Sequence, residues 1–554
     1  MKIICHQQLT QFTQKSVILL GLFLNFFPHS GIAQSRKPNI LLIMADDLGF
    51  SDLGCYGGEI PTPNLDKLAR DGIKFSQFYN ASRCCPTRAS LLTGLYPHQA
   101  GMGHMTRTIN FPPAYAGQLD STRPTIAHVL KAGGYQTYHV GKWHVGNLSP
   151  KQSKANPLEC GFNKFYGTGA GGNYFSPKEL YSDLTLVTPP SDYYITDDLN
   201  EKSIQFIREH GKDYPDKPFF MHLCHTAPHF PLHARPEDIA RHRGKYRIGW
   251  DTLREIRFRN QKRMGLFKPT TKLSPRDSVA VAWNNLTEPE KDQWDLRMAT
   301  YAAMIEVMDK GLGRVFDALK ELKIYDNTII IFLSDNGSSA EVLDLWPGED
   351  YSHTPGAECG TAKSHLCLEV GWSNAANTPF REHKMWMQQG GISTPFIIKI
   401  PGYNPDKQQN WNRNVGHIID IMPTLIEMSG SKYPLKFRGS YTATLPGQSL
   451  VSAWSGRVSE ERTLAWEHEG NKAIRQGNWK LVASFGQPWE LYNLEKDPTE
   501  QNNLVVENPT LTEKLSRDWQ IWANGIGVVP WENFPRSNYK PTKNYRRKSE
   551  PVPQ

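Results

Sequence analysis

Apolar residues along this chain follow two rhythms. In the first two-thirds, short unbroken apolar runs at 40–44, 219–223, 328–333 and 395–400 alternate with segments whose apolar positions recur every three or four residues. Unbroken runs of that length predict strands buried on both faces, and the periodic segments predict helices packed on a sheet. Leu65, Leu68 and Ala69 mark the inner face of a short helix over 64–71, and Ile305, Met308, Leu312, Val315 and Leu319 that of a longer one. Another strand is expected over 136–140 and another helix over 417–428. The alternation predicts an α/β fold, with a large, mainly parallel sheet flanked by helices.

Composition shifts at 429–438, and beyond it the rhythm shortens. Residues 464–467, 473–475, 479–482 and 490–494 read as short strands separated by polar turns, and 511–523 as a helix. They predict a smaller C-terminal α+β domain with an antiparallel sheet. The expected organisation is a signal peptide at 1–33, a catalytic α/β domain at 34–430, the C-terminal subdomain at 431–535 and a basic, disordered tail at 536–554. The arginine-rich stretch 236–277 reads as an insertion carrying a solvated helix near 250–264.

The first 33 residues have Lys2 and Lys15, an apolar stretch at 17–27 and the small-residue site Gly31-Ile32-Ala33. This is the layout of a secretory signal, with an apolar core too short to span a bilayer comfortably. The expectation is a chain taken up by the export machinery, cleaved near Ala33 and periplasmic or secreted, with no stable membrane insertion. The 554 residues, 39% hydrophobic and 21% charged, can build a large core. The net charge of +8 owes much to the tail, where Arg536 to Lys548 contains six basic residues and no acid. No nucleic-acid motif accompanies it, so nucleic acid is set aside as a partner.

Of the eight cysteines, Cys5 leaves with the signal. Export permits disulfides. Cys359 and Cys367, close in sequence, are the expected pair, and Cys224, inside an apolar run, is expected to be a buried free thiol.

Candidate chemistry gathers at predicted strand ends, where open α/β sheets bind ligands. The run 40–44 leads into Asp46 and Asp47; the run 328–333 leads into Asp335 and Asn336. Either pair by itself is an ordinary turn. Together they offer three carboxylates and an amide oxygen to a hard divalent cation, calcium before magnesium and not zinc. Cys84 opens the run Cys84-Cys85-Pro86-Thr87-Arg88-Ala89-Ser90-Leu91-Leu92-Thr93-Gly94. Pro86 suits a first helical turn, so free N–H groups and a positive dipole end would face whatever Cys84 holds.

That run, C-x-P-x-R-x-x-x-L-T-G, closely resembles the signature of the formylglycine sulfatases, within the alkaline-phosphatase-like superfamily. Gly134-Tyr135-x-Thr137-x-x-x-Gly141-Lys142-x-His144 resembles their second signature. Ala227-Pro228-His229-x-Pro231 and the block from Lys384 to Pro395 match further family positions. The resemblance covers nearly all of the chain after residue 33. It implies that a separate maturation enzyme oxidises Cys84 to formylglycine (3-oxoalanine). It further implies that Asp46, Asp47, Asp335 and Asn336 bind Ca²⁺ together with an oxygen of residue 84. Arg88 would support the aldehyde hydrate, Lys142 would sit near sulfate and aldehyde, and His144 would assist turnover. His229 and Lys384 would bind sulfate, with His229 the proton donor. Two positions near Lys384 depart from the family pattern: Gln389 replaces a Glu and Ser393 an Arg. His222, His225 and His233 read as surface or supporting residues. The implied activity is hydrolysis of a sulfate ester, on a small molecule or a glycan. The rivals are a phosphomonoester or phosphonate hydrolase of the same superfamily and an inactive sulfoglycan-binding protein.

Overall fold

A computed structural model describes residues 36–106, 113–148, 153–343, 354, 356–403, 411–454 and 461–534. The expected signal peptide and basic tail lie outside the described residues. Among those described, no helix is long and apolar enough to cross a membrane.

Ten strands form the main sheet. In chain order they are β1 (Asn39–Ala45), β2 (Ile73–Tyr79), β3 (Gln136–Gly141), β4 (Lys164–Gly167), β5 (Tyr181–Ser182), β6 (Thr185–Leu186), β7 (Phe219–Cys224), β8 (Thr328–Ser334), β9 (Phe396–Lys399) and β10 (Asn412–His417). Their order across the sheet is β10-β2-β9-β8-β1-β7-β3-β4-β5-β6. Strands β8, β1, β7 and β3 run parallel as neighbours, with Ile40 opposite both Ile329 and Phe220. Every residue of β1, β7 and β8 is buried. Their unbroken apolar runs are what a sheet covered on both faces requires. Because these four strands share one direction, their C-terminal ends open on one edge.

Helices close both faces. The helix Glu288–Glu321 starts with a reciprocal cap, in which the Thr287 hydroxyl accepts from the Glu290 N–H and the Glu290 carboxylate accepts from the Thr287 N–H at 2.7 Å. It buries Ile305, Met308, Leu312, Val315 and Leu319, the stripe expected from sequence. The helix Cys84–Thr93 lies on the opposite face, buried at all ten positions. It ends at Gly94, whose φ of 69° suits glycine; a Cβ there would meet the Cβ of Met422 at 2.7 Å.

The strand expected at 395–400 is β9, which runs antiparallel to both β8 and β2 within the mainly parallel sheet. Three expectations are corrected. The helix expected from 417 starts later, since His417 closes β10 and a 3₁₀ turn at Ile418–Asp420 precedes the α-helix Ile421–Ser429. Cys359 and Cys367 are unpaired thiols. Cys359 Sγ lies 3.6 Å from the Thr300 hydroxyl, while Cys367 turns its thiol to the Glu341 carbonyl, so the two point at different partners. Cys224 is, as expected, a buried free thiol. Finally, the helix Gly249–Arg263 is solvated on one face only: Thr252, Glu255, Arg259 and Arg263 are exposed, while Trp250, Leu253, Arg257, Phe258 and Gln261 are buried against the body.

The burial of that helix turns on Arg257. Its guanidinium donates to Asp52 at 2.7 Å and to both oxygens of Glu59 at 2.8 and 2.9 Å. Asp52 also accepts from the Gly49 N–H at 2.8 Å and from the Tyr301 hydroxyl at 2.7 Å. These bonds hold the loop that follows β1.

The C-terminal strands, β13 (Thr463–His468), β14 (Asn471–Gln476), β15 (Trp479–Ala483) and β16 (Glu490–Asn493), follow the two-residue ribbons β11 (Lys436–Phe437) and β12 (Ser440–Tyr441). They form an antiparallel meander in chain order. Alternation sends Ala465, Ile474, Leu481 and Leu491 against Leu515 and Trp519 of the helix Pro509–Ile526. Leu464, Trp466, Ala473, Val482 and Tyr492 point the other way, into the core beneath the main sheet.

Replacing Arg257 by Ala leaves the fully buried Asp52 carboxylate without its ion partner. We expect a loss of about 3–5 kcal/mol of stability, read as a lower urea midpoint with an unchanged slope. An unchanged midpoint would remove the ion cluster as a support of the loop.

Candidate active site

The edge where β8, β1, β7 and β3 end collects the expected residues. Asp46 and Asp47 follow β1, Lys142 and His144 follow β3, His229 lies in the loop after β7, and Asp335 and Asn336 follow β8. Cys84 opens its helix and Arg88 follows one turn later, four residues on and so on the same face. Lys384 enters from the segment between the helices Glu369–Ala376 and Gln389–Ile392.

Ion pairs connect them. Lys142 Nζ donates to Asp46 Oδ2 at 2.6 Å. Arg88 donates twice to Asp335 Oδ2, at 2.8 and 3.1 Å, and once to the Lys142 carbonyl at 2.9 Å. Asp47 accepts from Asn336 Nδ2 at 2.6 Å and from Lys384 Nζ at 2.8 Å. Lys384 also lies 3.4 Å from His229 Nε2. The donor atoms of Asp46, Cys84 and Asp335 lie within 4.8 Å of one another, as do those of Asp46, Asp47 and His229. Both trios share Asp46 and constitute one site. His144 stands beside them: the charges of Lys142, Arg88, Asp46 and His229 all act on it.

Asp47 and His144 hold left-handed backbone, with φ of 64° and 56°. For residues other than glycine this costs on the order of 1–3 kcal/mol and persists where surrounding contacts impose it. Here the Asp47 carbonyl sits 3.2 Å from the Tyr301 hydroxyl, and the His144 N–H donates to Gly169 at 2.7 Å. The loop carrying His229 is held by Tyr174, whose hydroxyl lies 2.7 Å from the Thr226 carbonyl and 2.8 Å from that of His229.

Electrostatics follow from burial. Burial and then the neighbouring Asp46 raise Asp335 well above the usual carboxylate range, against the pull of Arg88. Burial would raise Asp46 too, but Lys142, His229, Arg88 and Lys384 outweigh it and hold it low. Burial, with Lys142 and Arg88, pushes His144 well below the ordinary imidazole value. Burial lowers His229 as well, opposed by Asp47 and Asp46. Its Nδ1 lies 2.5 Å from the Phe230 carbonyl, which fixes the proton there and leaves Nε2 facing Lys384. Burial raises the Cys84 thiol, against Lys384 and Lys142.

Two buried oxygens in this cluster, Asp46 Oδ1 and Asn336 Oδ1, make no hydrogen bond. An orphaned acceptor in a dry interior is costly. Two of them among three carboxylates form an oxygen donor set that suits a hard divalent cation.

Sequence reading missed Glu341 and Arg83. Glu341, buried, sits 3.5 Å from Lys384 Nζ and 3.1 Å from Arg83, and accepts from Ser339 at 3.0 Å. Burial raises its carboxyl, but Lys384 and Arg83 prevail and hold it down at about 2. It lies six residues after Asp335, in Asp335-Asn336-Gly337-Ser338-Ser339-Ala340-Glu341, a loop with no periodic pattern to mark it. Gln389 turns elsewhere: its side chain donates to the Tyr79 hydroxyl at 3.2 Å and its backbone N–H to Glu500 at 2.9 Å. Glu500 in turn pairs with the buried Lys480 at 2.7 Å. So Lys384 is held by Asp47 and Glu341. Of the histidines expected at the surface or in support, His222, His225 and His233 are all buried.

Comparison with known proteins fits this geometry. Residues 38–431 match the sulfatase family, and residues 381–519 match the C-terminal region of N-sulphoglucosamine sulphohydrolase. An uncharacterized sulfatase of Schizosaccharomyces pombe is 33% identical, over 92% of this chain and 99% of its own. An arylsulfatase of Klebsiella aerogenes is 33% identical over 72% of this chain and 88% of its own. Among solved structures, Ps i-CgsB in complex with k-i-k-neocarrahexaose superposes with a TM-score of 0.65 at 26% identity, covering 90% of this chain and 95% of that one. The chain therefore belongs to the sulfatase family and is a sulfuric ester hydrolase, built on the large mixed sheet of that family with a C-terminal antiparallel sheet.

Proposed function

We propose that the enzyme hydrolyses a sulfate ester carried by a carbohydrate or an aryl alcohol, using a formylglycine at position 84 and one Ca²⁺. The observation that carries this reading is the pair of orphaned oxygens on Asp46 and Asn336, set among carboxylates beside Cys84 and faced by Arg88, Lys142 and Lys384. The names of its relatives favour both substrate classes, arylsulfatase for one and N-acetylgalactosamine-6-sulfatase for another at 25% identity.

Calcium, held by Asp46, Asp47, Asp335, Asn336 and an oxygen of residue 84, would supply positive charge against the sulfate oxygens. Residue 84, as an aldehyde hydrate, would supply one hydroxyl whose oxygen bonds sulfur as the ester S–O bond breaks and its proton passes to solvent, and a second whose proton loss re-forms the carbonyl and expels sulfate, after which water restores the hydrate. Cys84 is 1% exposed. A maturation enzyme must therefore reach it before the helix Cys84–Thr93 is packed away. Export after cleavage near Ala33 belongs to the same proposal.

The chain's own side chains then divide the work. Arg88, fixed by two bonds to Asp335, holds the hydrate in place. Lys142 and Lys384 bind the sulfate oxygens, each already oriented by a carboxylate. His144, kept neutral by burial and two neighbouring cations, accepts the proton of the second hydroxyl. His229 binds sulfate through Nε2. An anion arriving there raises its proton affinity, so that the imidazolium can protonate the departing oxygen.

Mass spectrometry of the peptide holding residue 84 should show sulfur replaced by an aldehyde oxygen, and Cys84→Ala should abolish turnover. Active enzyme with an unconverted thiol, or full activity after calcium is stripped, would end this reading. Aryl phosphates should be turned over far more slowly than the matching sulfates. His229→Ala should cost about 10²–10⁴-fold in kcat on a sugar sulfate and much less on nitrophenyl sulfate, whose leaving group needs no proton; equal losses would remove the acid role. Glu341→Gln should lower kcat/KM roughly tenfold, about 1.4 kcal/mol, through loosened Lys384. Most of that loss should fall on KM, and an unchanged KM would exclude this support.

A further inference from the structure

Beneath the site lies a second cluster that the proposed chemistry does not use. Strands β3 and β7 are parallel neighbours, and His139 stands in register with His222. Cys224, two residues on, shares the face of His222. All three are buried. Their donor atoms lie within 4.8 Å of one another, and Cys224 Sγ is 3.0 Å from His222 Nε2. Neither ring nitrogen of His139 nor Nδ1 of His222 meets hydrogen-bond geometry, although the Lys142 and Gly141 backbone lies close enough to His139 to raise its proton affinity. Three nitrogens so placed in a dry core cost free energy unless something else binds them. The two imidazole rings are tilted by 64° with centroids 5.0 Å apart, so their nitrogens are not held in parallel planes.

The donor set selects the ion. Two imidazoles and a thiol suit a soft or borderline metal, and the trio has no oxygen ligand for calcium or magnesium. Charge then chooses between the soft ions. Burial raises the Cys224 thiol to about 12, lowers His139 to about 3 and pushes His222 well below the ordinary imidazole value, with Arg88 acting on all three, so the metal-free trio is neutral. A univalent ion that replaces the thiol proton leaves that charge unchanged. Zinc would add a net positive charge beside the Arg88 guanidinium.

We propose that His139, His222 and Cys224 form a binding site for copper(I), separate from the carboxylate cluster above it. Binding exchanges the thiol proton for the metal: the S–H bond breaks, an S–Cu bond forms, the proton leaves to solvent, and no electron is transferred. Because the trio is enclosed, copper would enter during folding rather than by diffusion into the finished protein.

The test is to produce the full chain in cells grown with added copper and to measure metal content and X-ray absorption of the purified enzyme. We expect close to one copper per chain, with a copper(I) edge and a shell of one sulfur and two nitrogens. His139→Phe and Cys224→Ala should each abolish that equivalent. If one variant does not fold, the other and the wild-type shell still decide. Copper below a tenth of an equivalent in the wild type, retention by the variants, or zinc in the same shell would overturn the proposal.

Discussion

Lys142 against Asp46 and Arg88 against Asp335 are the contacts on which the rest of the site depends, because all four groups sit where water does not reach. Removing a charge from water costs several kcal/mol even after the protein relaxes, and an ion pair repays it only with good geometry. The geometry is set by parallel strands that stop at one edge and by a helix whose first turn faces them. Four carboxylates, Asp46, Asp47, Asp335 and Glu341, meet four cationic side chains, Arg83, Arg88, Lys142 and Lys384. The balance is close, yet two oxygens are left over. The site is therefore organised in advance for charge that arrives from outside.

Rigidity behind the site serves that organisation. Tyr301, Asp52 and Arg257 pin the turn after β1, Tyr174 pins the turn after β7, and Gly169 receives His144. Tyr301 and Arg257 reach in from helices and Tyr174 and Gly169 from neighbouring loops, so left-handed backbone at Asp47 and His144 is held by packing rather than by local preference.

The strands β1, β7 and β8 were legible because a sheet buried on both faces demands unbroken apolar runs, and the residues that follow such runs are placed by topology. Hence Asp46, Asp47, Asp335 and Asn336 could be named before any coordinates, and Cys84 with Arg88 through the run whose pattern resembles the sulfatase signature. Direction was not legible: nothing in 395–400 distinguishes an antiparallel β9 from a parallel one. Nor was the inner face of Gly249–Arg263, whose arginines read as solvated until Arg257 is seen between two acids. Glu341 escaped because a lone Glu in a loop carries no period. The thiols of Cys359 and Cys367 show the converse error, since nearness in sequence says nothing about where side chains point.

The bond from the Gln389 backbone to Glu500, itself held by Lys480, joins the C-terminal sheet to the segment that carries Lys384. That sheet is thus not a detachable cassette. A chimera that exchanged it for the equivalent part of a relative would have to import a carboxylate at the same point, or the lysine-bearing loop would lose one of its anchors while every residue around Cys84 stayed in place.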